Sequence, residues 1–251
     1  MKPRLTAYAG VQLRDFLVGR APFLFLATAI TVWALLRANG VTLATFDAAA
    51  GIGGREQARR AFADALGAYA VLGAVFAAQG LVARDRWRGF DRVLFSRPFD
   101  PRRYYVQAFV MAGVGVVGLA VLAAGVFSVA AYPVSVAGVA AYVGLAWFTL
   151  GAFAFALTTV TTYHVPVVVG ALAGALLLDR LPRVLSVPDT LRVVVEAAQY
   201  LLPPTQVIVA LREPFARGSL VQPHLLVWPL AFGALWLTLA VLVLSRRPFR
   251  S

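Results

Sequence analysis

The sequence contains no cysteine, one lysine (Lys2), two histidines and two methionines. Without cysteine there is no disulfide framework and no thiol chemistry. So few histidines and methionines leave little from which to build a transition-metal site, and none is expected. With its sole lysine at position 2, the chain has no Gly-x-x-x-x-Gly-Lys-Ser/Thr loop and cannot cradle ATP phosphates in that way. Charge is also scarce: 14% of residues are Asp, Glu, Lys or Arg, against about 25% in an average soluble domain. The 11 acidic residues lie in polar segments or at the ends of apolar runs. No acid–base pair of a hydrolase is evident. The ionisable groups that a proton-coupled transporter keeps at depth are absent as well. The chain is therefore not expected to be an enzyme by itself.

What is abundant is apolar. Hydrophobic residues make up 61% of the 251 positions, and mean hydropathy is +0.79. Residues 104–131, 133–163 and 225–244 carry no charge. Each run reaches the roughly 20 residues that a helix needs to cross a bilayer. The runs are continuous and do not alternate with polar residues, which argues against a barrel and for an all-α integral membrane protein.

Six transmembrane helices are expected near 21–37, 64–83, 104–131, 136–160, 165–179 and 225–244, in one domain covering 1–251. Residues 1–20 suit an amphipathic helix on the membrane surface, with Leu5, Tyr8, Ala9, Phe16 and Leu17 on one face. The apolar stretch from Ala21 reads as a retained anchor in preference to a cleaved signal peptide. The turn Tyr132–Ser135 forces an antiparallel hairpin of the third and fourth spans. Between spans five and six, two short apolar pieces, 191–202 and 207–211, flank Pro203–Pro204. They are too short to span and read as re-entrant or outer-surface helices.

The net charge of +12 reads as loop asymmetry, with no nucleic-acid partner expected, since no basic module of known type is present. With the N-terminus inside, segments 1–20, 84–103 and 245–251 hold 14 basic residues in 47 positions. Segments 38–62 and 180–222 hold eight in 68. That asymmetry puts both termini and 84–103 in the cytoplasm. A multi-pass protein of a prokaryotic inner membrane, in contact with its lipids, is the expected setting.

Gly113-x-Gly115-x-x-Gly118 matches a dinucleotide fingerprint by letter. It lies inside an apolar run with no preceding strand and no later acid. Close helix packing through small residues is the better reading. His164 and His224 sit near span ends, where a polar interfacial role outweighs haem ligation. Thr158, Thr159, Thr161, Thr162, Tyr163 and His164 form a polar cluster; satisfying backbone carbonyls outweighs lining an entrance.

The segment 84–103 is dense in arginine, acids and aromatics. Trp87, Phe90, Val93 and Leu94, with their Arg and Asp neighbours, are expected to form a short amphipathic cytoplasmic helix suited to docking. An ordinary basic loop on anionic lipid is the alternative. In order, it presents Asp85–Arg86, Gly89, Val93–Leu94 and Pro98. Later come Leu202–Pro203–Pro204, Arg212 and Gly218. Across the whole chain these features resemble the type-2 permeases of ATP-binding-cassette (ABC) exporters. Asp85 stands where that family more often has Glu, and Pro203 is not preceded by Asn.

The resemblance implies a transmembrane subunit that pairs with a second copy or a paralogue as a dimer. Separate ABC ATP-binding subunits would carry ATP and Mg, and this chain would hold no cofactor. Asp85, Arg86, Trp87, Gly89, Phe90, Leu94 and Pro98 would couple to the ATPase, and Pro203, Arg212 and Gly218 would form an outer helix motif. Phe76, Trp147, Phe153 and Phe155 are candidates for lining a path for hydrophobic or amphipathic cargo. A membrane anchor or scaffold subunit and an ATP-independent secondary transporter remain the alternatives.

Overall fold

The structure, a computed structural model, describes residues 5–38, 52–78, 81–82, 85, 100–130, 133–161, 163–184 and 202–246. All regular structure among them is helical. In chain order the helices are α1 (Leu5–Gly19), α2 (Ala21–Ala38), α3 (Ile52–Ala78), α4 (Pro101–Ala130), α5 (Val136–Ala146), α6 (Ala152–Val160), α7 (His164–Val184), α8 (Thr205–Arg217) and α9 (His224–Arg246). A π-helical turn, Trp147–Gly151, joins α5 to α6.

Four helical stretches among the described residues are long and apolar enough to cross a membrane: Arg59–Ala78, Pro101–Val129, Val136–Val160 and His224–Arg246. They mark a membrane protein by length and composition. α2 coincides with the first expected span. In α7 the apolar part, Val165–Ala175, is short. The second span differs from expectation in its start. α3 begins at Ile52, because Arg55, Glu56, Arg59 and Arg60 are all tolerated on a helix.

The chain from Val136 to Val160 is the centre. Of its most apolar window 78% is buried, against 22% for α9, which is therefore peripheral. α9 lies along α6 in the same direction: Thr149 donates to the Pro229 carbonyl at 3.1 Å. Further along both helices, Phe153 meets Trp236 edge to face. α3 and α4 run antiparallel, with Phe62 stacked on Phe127 and the Tyr69 hydroxyl donating to the Val116 carbonyl at 2.7 Å.

Helix starts follow ordinary capping rules. Asp100 accepts from the Arg102 amide at 3.0 Å ahead of Pro101, the first residue of α4. Ser135 accepts from the Gly138 amide at 3.0 Å and caps α5.

The glycines of the fingerprint-like run are seats for aromatic rings. A methyl group at Gly113 would overlap the Trp147 indole, and one at Gly115 the Phe16 ring, whereas Gly118 faces open space. Phe16 is how α1 attaches. Tyr8 meets Tyr104 and Phe16 reaches Gly115, so α1 runs alongside the first half of α4. Leu17, expected on the same face as Phe16, is turned outward at 44% exposure.

At the break between α1 and α2, Arg20 donates to the Ala77 carbonyl at 2.6 Å. That supplies a charge-assisted bond to the end of α3.

If the Phe16 ring occupies the Gly115 seat, Gly115→Ala lowers the melting temperature of the detergent-solubilised protein, at a cost of about 1–3 kcal/mol from overpacking. In a Phe16→Ala background the same change costs close to nothing, and Gly118→Ala is neutral or stabilising. Additive losses at Gly115 and Phe16 would contradict the seat.

Candidate functional site

The bundle has two poles. The first collects the start of α4, the end of α3, and Asp85. Asp85 and Asp15 both interact electrostatically with Tyr104, and Gln12 bonds within the same group. Asp100 also pairs with Arg103 at 3.6 Å and with Arg102 at 3.9 Å, closing the first turn of α4 with charge. Of the residues expected to couple to an ATPase, Asp85 lies at this pole, half-buried. Arg86, Trp87, Gly89, Phe90, Leu94 and Pro98 lie outside the described residues.

The second pole is built around α8. Pro203 and Pro204 are buried and lead into the helix, where the Thr205 amide bonds the Pro203 carbonyl at 2.7 Å. Gly218 ends α8 in the left-handed conformation, φ 70°. The Gly218 amide bonds the Phe215 carbonyl, and the Ser219 amide bonds the Pro214 carbonyl at 2.9 Å. This Schellman arrangement satisfies two carbonyls that a helix end leaves open. The Ser135 amide takes a third, from Ala216, at 2.9 Å. The end of α8 is thereby pinned to the start of α5. A methyl group at Gly138 would overlap the Phe215 carbonyl, so that glycine permits the approach.

Arg212, from the outer motif, pairs with Asp64 of α3, Nη2 to Oδ1 at 2.5 Å. Arg59 of α3 approaches Glu213 at 4.0 Å, and Glu213 also pairs with Arg217 on its own helix. Gly67 lies beneath this seam: a methyl group there would sit 3.3 Å from Arg212 Cδ and 3.7 Å from the Tyr142 hydroxyl. Tyr142 is fully buried, and its hydroxyl has no hydrogen-bond partner among the described residues. Pro203, Arg212 and Gly218 thus belong to one element. Sequence reasoning missed Asp64, Glu213 and Tyr142. Asp64 was the one findable residue, being an acid at the edge of an apolar run.

The four aromatic candidates for a path do not share one surface. Trp147 and Phe155 both stack on Phe109, with centroids 4.9 and 5.1 Å away. Phe153 packs against Phe232 and Trp236. Phe76 lies at the surface. In the threonine cluster, Thr158 donates to the Phe155 carbonyl and Thr159 to the Ala156 carbonyl, each within its own helix.

Replacing Gly218 with Ala costs about 1–2 kcal/mol, the penalty of a left-handed residue with a side chain. Gly138→Ala costs at least as much, because backbone must move. Both lower the melting temperature and expose the region after Arg217 to protease, while Gly144→Ala, in open space, does neither. Equal effects of all three would refute the α5–α8 pin.

Comparison of the chain with family models, with curated proteins and with solved structures finds no match.

Proposed function

We propose that the chain is the transmembrane subunit of an ABC exporter, moving a hydrophobic or amphipathic substrate with energy from separate ATP-binding subunits. In this reading α2, α3, α4, α5–α6, α7 and α9 are the six spans. α1 associates with the inner leaflet, and α8 belongs to the outer surface. The pole with Asp85 and Asp100 faces the cytoplasm of a prokaryotic cell, as do the start of α1 and the end of α9. A second copy or a paralogue completes the pathway; of the four aromatic candidates Phe76 is at the surface to line it, whereas Trp147, Phe153 and Phe155 pack inside the bundle. ATP and Mg belong to the partner.

The observation that carries the reading is the position of Asp85 and Asp100. These residues flank the arginine- and aromatic-rich segment 86–99, and both stand at the pole opposite α8. A docking segment tied at both ends to rigid helices passes a push to α3 and α4 together. Rigid-body tilting of packed helices is one of the established ways by which a local event becomes a global one. The outer motif at the other pole is consistent with this polarity.

The test is co-purification of the full chain from its own cells in mild detergent. A phosphate-binding-loop ATPase is expected to co-elute, and Arg86→Glu or Gly89→Pro should reduce its recovery roughly tenfold, about 1.4 kcal/mol. If no such ATPase co-elutes, or if both variants retain it fully, the proposal fails. Labelling of segment 86–99 from outside intact cells would equally defeat it.

A further inference from the structure

α8 buries its apolar face, Ile208 and Leu211, in the core, and two further restraints of different kinds hold it. At its C-terminal end the restraint is backbone: Ala216 to Ser135, and Phe215 against Gly138. Along its length, the polar tie to α3 is ionic, through Arg212–Asp64 and Glu213–Arg59. One carboxylate oxygen, Glu213 Oε1, faces both Arg59 of α3 and Arg217 of α8.

We infer that α8 is a hinged cap, latched to α3 by Asp64–Arg212 and biased between closed and open positions by Glu213, for which Arg59 and Arg217 compete.

The bias follows from which pairs survive opening. Swinging α8 about its pinned end lifts Ile208 and Leu211 from the core, which makes the open position the minor one, and separates Arg212 from Asp64 and Glu213 from Arg59. The Glu213–Arg217 pair, one turn apart on α8, persists in both positions. Arg59 therefore favours the closed position, whereas Arg217 draws Glu213 away from α3 and favours the open one. A device of this kind shifts population only through such differential contacts.

Two buried hydroxyls fit a cap that opens. Tyr142 Oη and Thr205 Oγ1 lack hydrogen-bond partners among the described residues. A buried polar group left unsatisfied is a standing cost of the closed position, relieved when water arrives. Thr205 lies at the end of α8 away from the pin, where a swing is widest. The inference does not rest on the permease reading, since the seam holds α8 to α3 whatever the bundle carries.

The absence of cysteine gives a direct test. Thr205→Cys adds a sole thiol at a position 3% exposed, and its reaction rate with a maleimide is measured on the full chain in nanodiscs. Arg212→Gln and Arg59→Gln should each raise the rate roughly two- to fivefold, the range open to partly exposed ion pairs. Arg217→Gln should lower it by a similar factor. In a Glu213→Gln background, the Arg59 and Arg217 changes should lose their opposite signs. The swapped pair Asp64→Arg with Arg212→Asp should restore the starting rate. Raising salt should accelerate labelling without any substitution at the seam, so the test survives a variant that fails to fold. Effects of the same sign from Arg59 and Arg217, or a rate indifferent to salt and to all three arginines, would overturn the latch.

Discussion

The seating of the Trp147 indole over Gly113 is the contact on which the rest of the bundle depends. In a bilayer, helices gain little from burying apolar surface against one another, because lipid tails are equally apolar. Close packing and hydrogen bonds must hold them together. Trp147 stacks on Phe109, fills the space above Gly113 and lies against Gly151 in its own helix. That contact sets the register of α5 and α6 against α4. α9 then takes its position from the same turn and the one after it, through Thr149 and Phe153.

The π-helical turn is how the central helix accommodates this contact. An extra residue in one turn widens the helix and re-aims its side chains. In the same turn, the Thr149 hydroxyl meets the carbonyl of Pro229, a residue that interrupts the α9 ladder because it has no amide hydrogen. Two backbone irregularities on neighbouring helices therefore face one another across a single hydrogen bond. The bilayer core offers no water to satisfy the buried Thr149 hydroxyl, so this bond belongs to the packing.

These features differ in how far they could be read from sequence. The runs at 104–131, 136–160 and 225–244 are free of charge and long enough to cross a bilayer, and they emerge as helices within a few residues of those bounds. Gly113 and Gly115 could be assigned to packing because no strand preceded them. Their occupants, Trp147 and Phe16, could not be named, because a helix face carries no address for the ring that fills it. The π-helical turn left no trace, since Trp147–Gly151 contains nothing that a regular helix refuses. Arg212 was singled out through resemblance, but its partner Asp64 lies far away in the chain and looked like the edge of a span. Long-range pairing of this kind is decided by topology, and one sequence does not display it.

α3 joins the two poles, and its geometry bears on how they communicate. Its 27 residues extend about 40 Å at 1.5 Å each. Asp64 stands at its midpoint, and Ala77, bonded by Arg20, lies at its C-terminal end. Between them, the buried Tyr69 hydroxyl is fixed to the Val116 carbonyl, and Gly73 brings the backbone close to the Val116 side chain. A stiff rod held tightly at Tyr69 and Gly73, with polar bonds at Asp64 on one side and at Ala77 on the other, does not bend in response to a load at Ala77. It tilts, and its ends move in opposite directions. Any displacement that carries Ala77 with the first pole must then pull Asp64 against Arg212. The ionic seam opposes this tilt only as strongly as partly solvated pairs permit, whereas the pinned end of α8 is held by backbone bonds. The second pole therefore ties α8 to α3 by an ionic seam beside a buried apolar face, Ile208 and Leu211, and a load that reaches Asp64 is felt first in that seam.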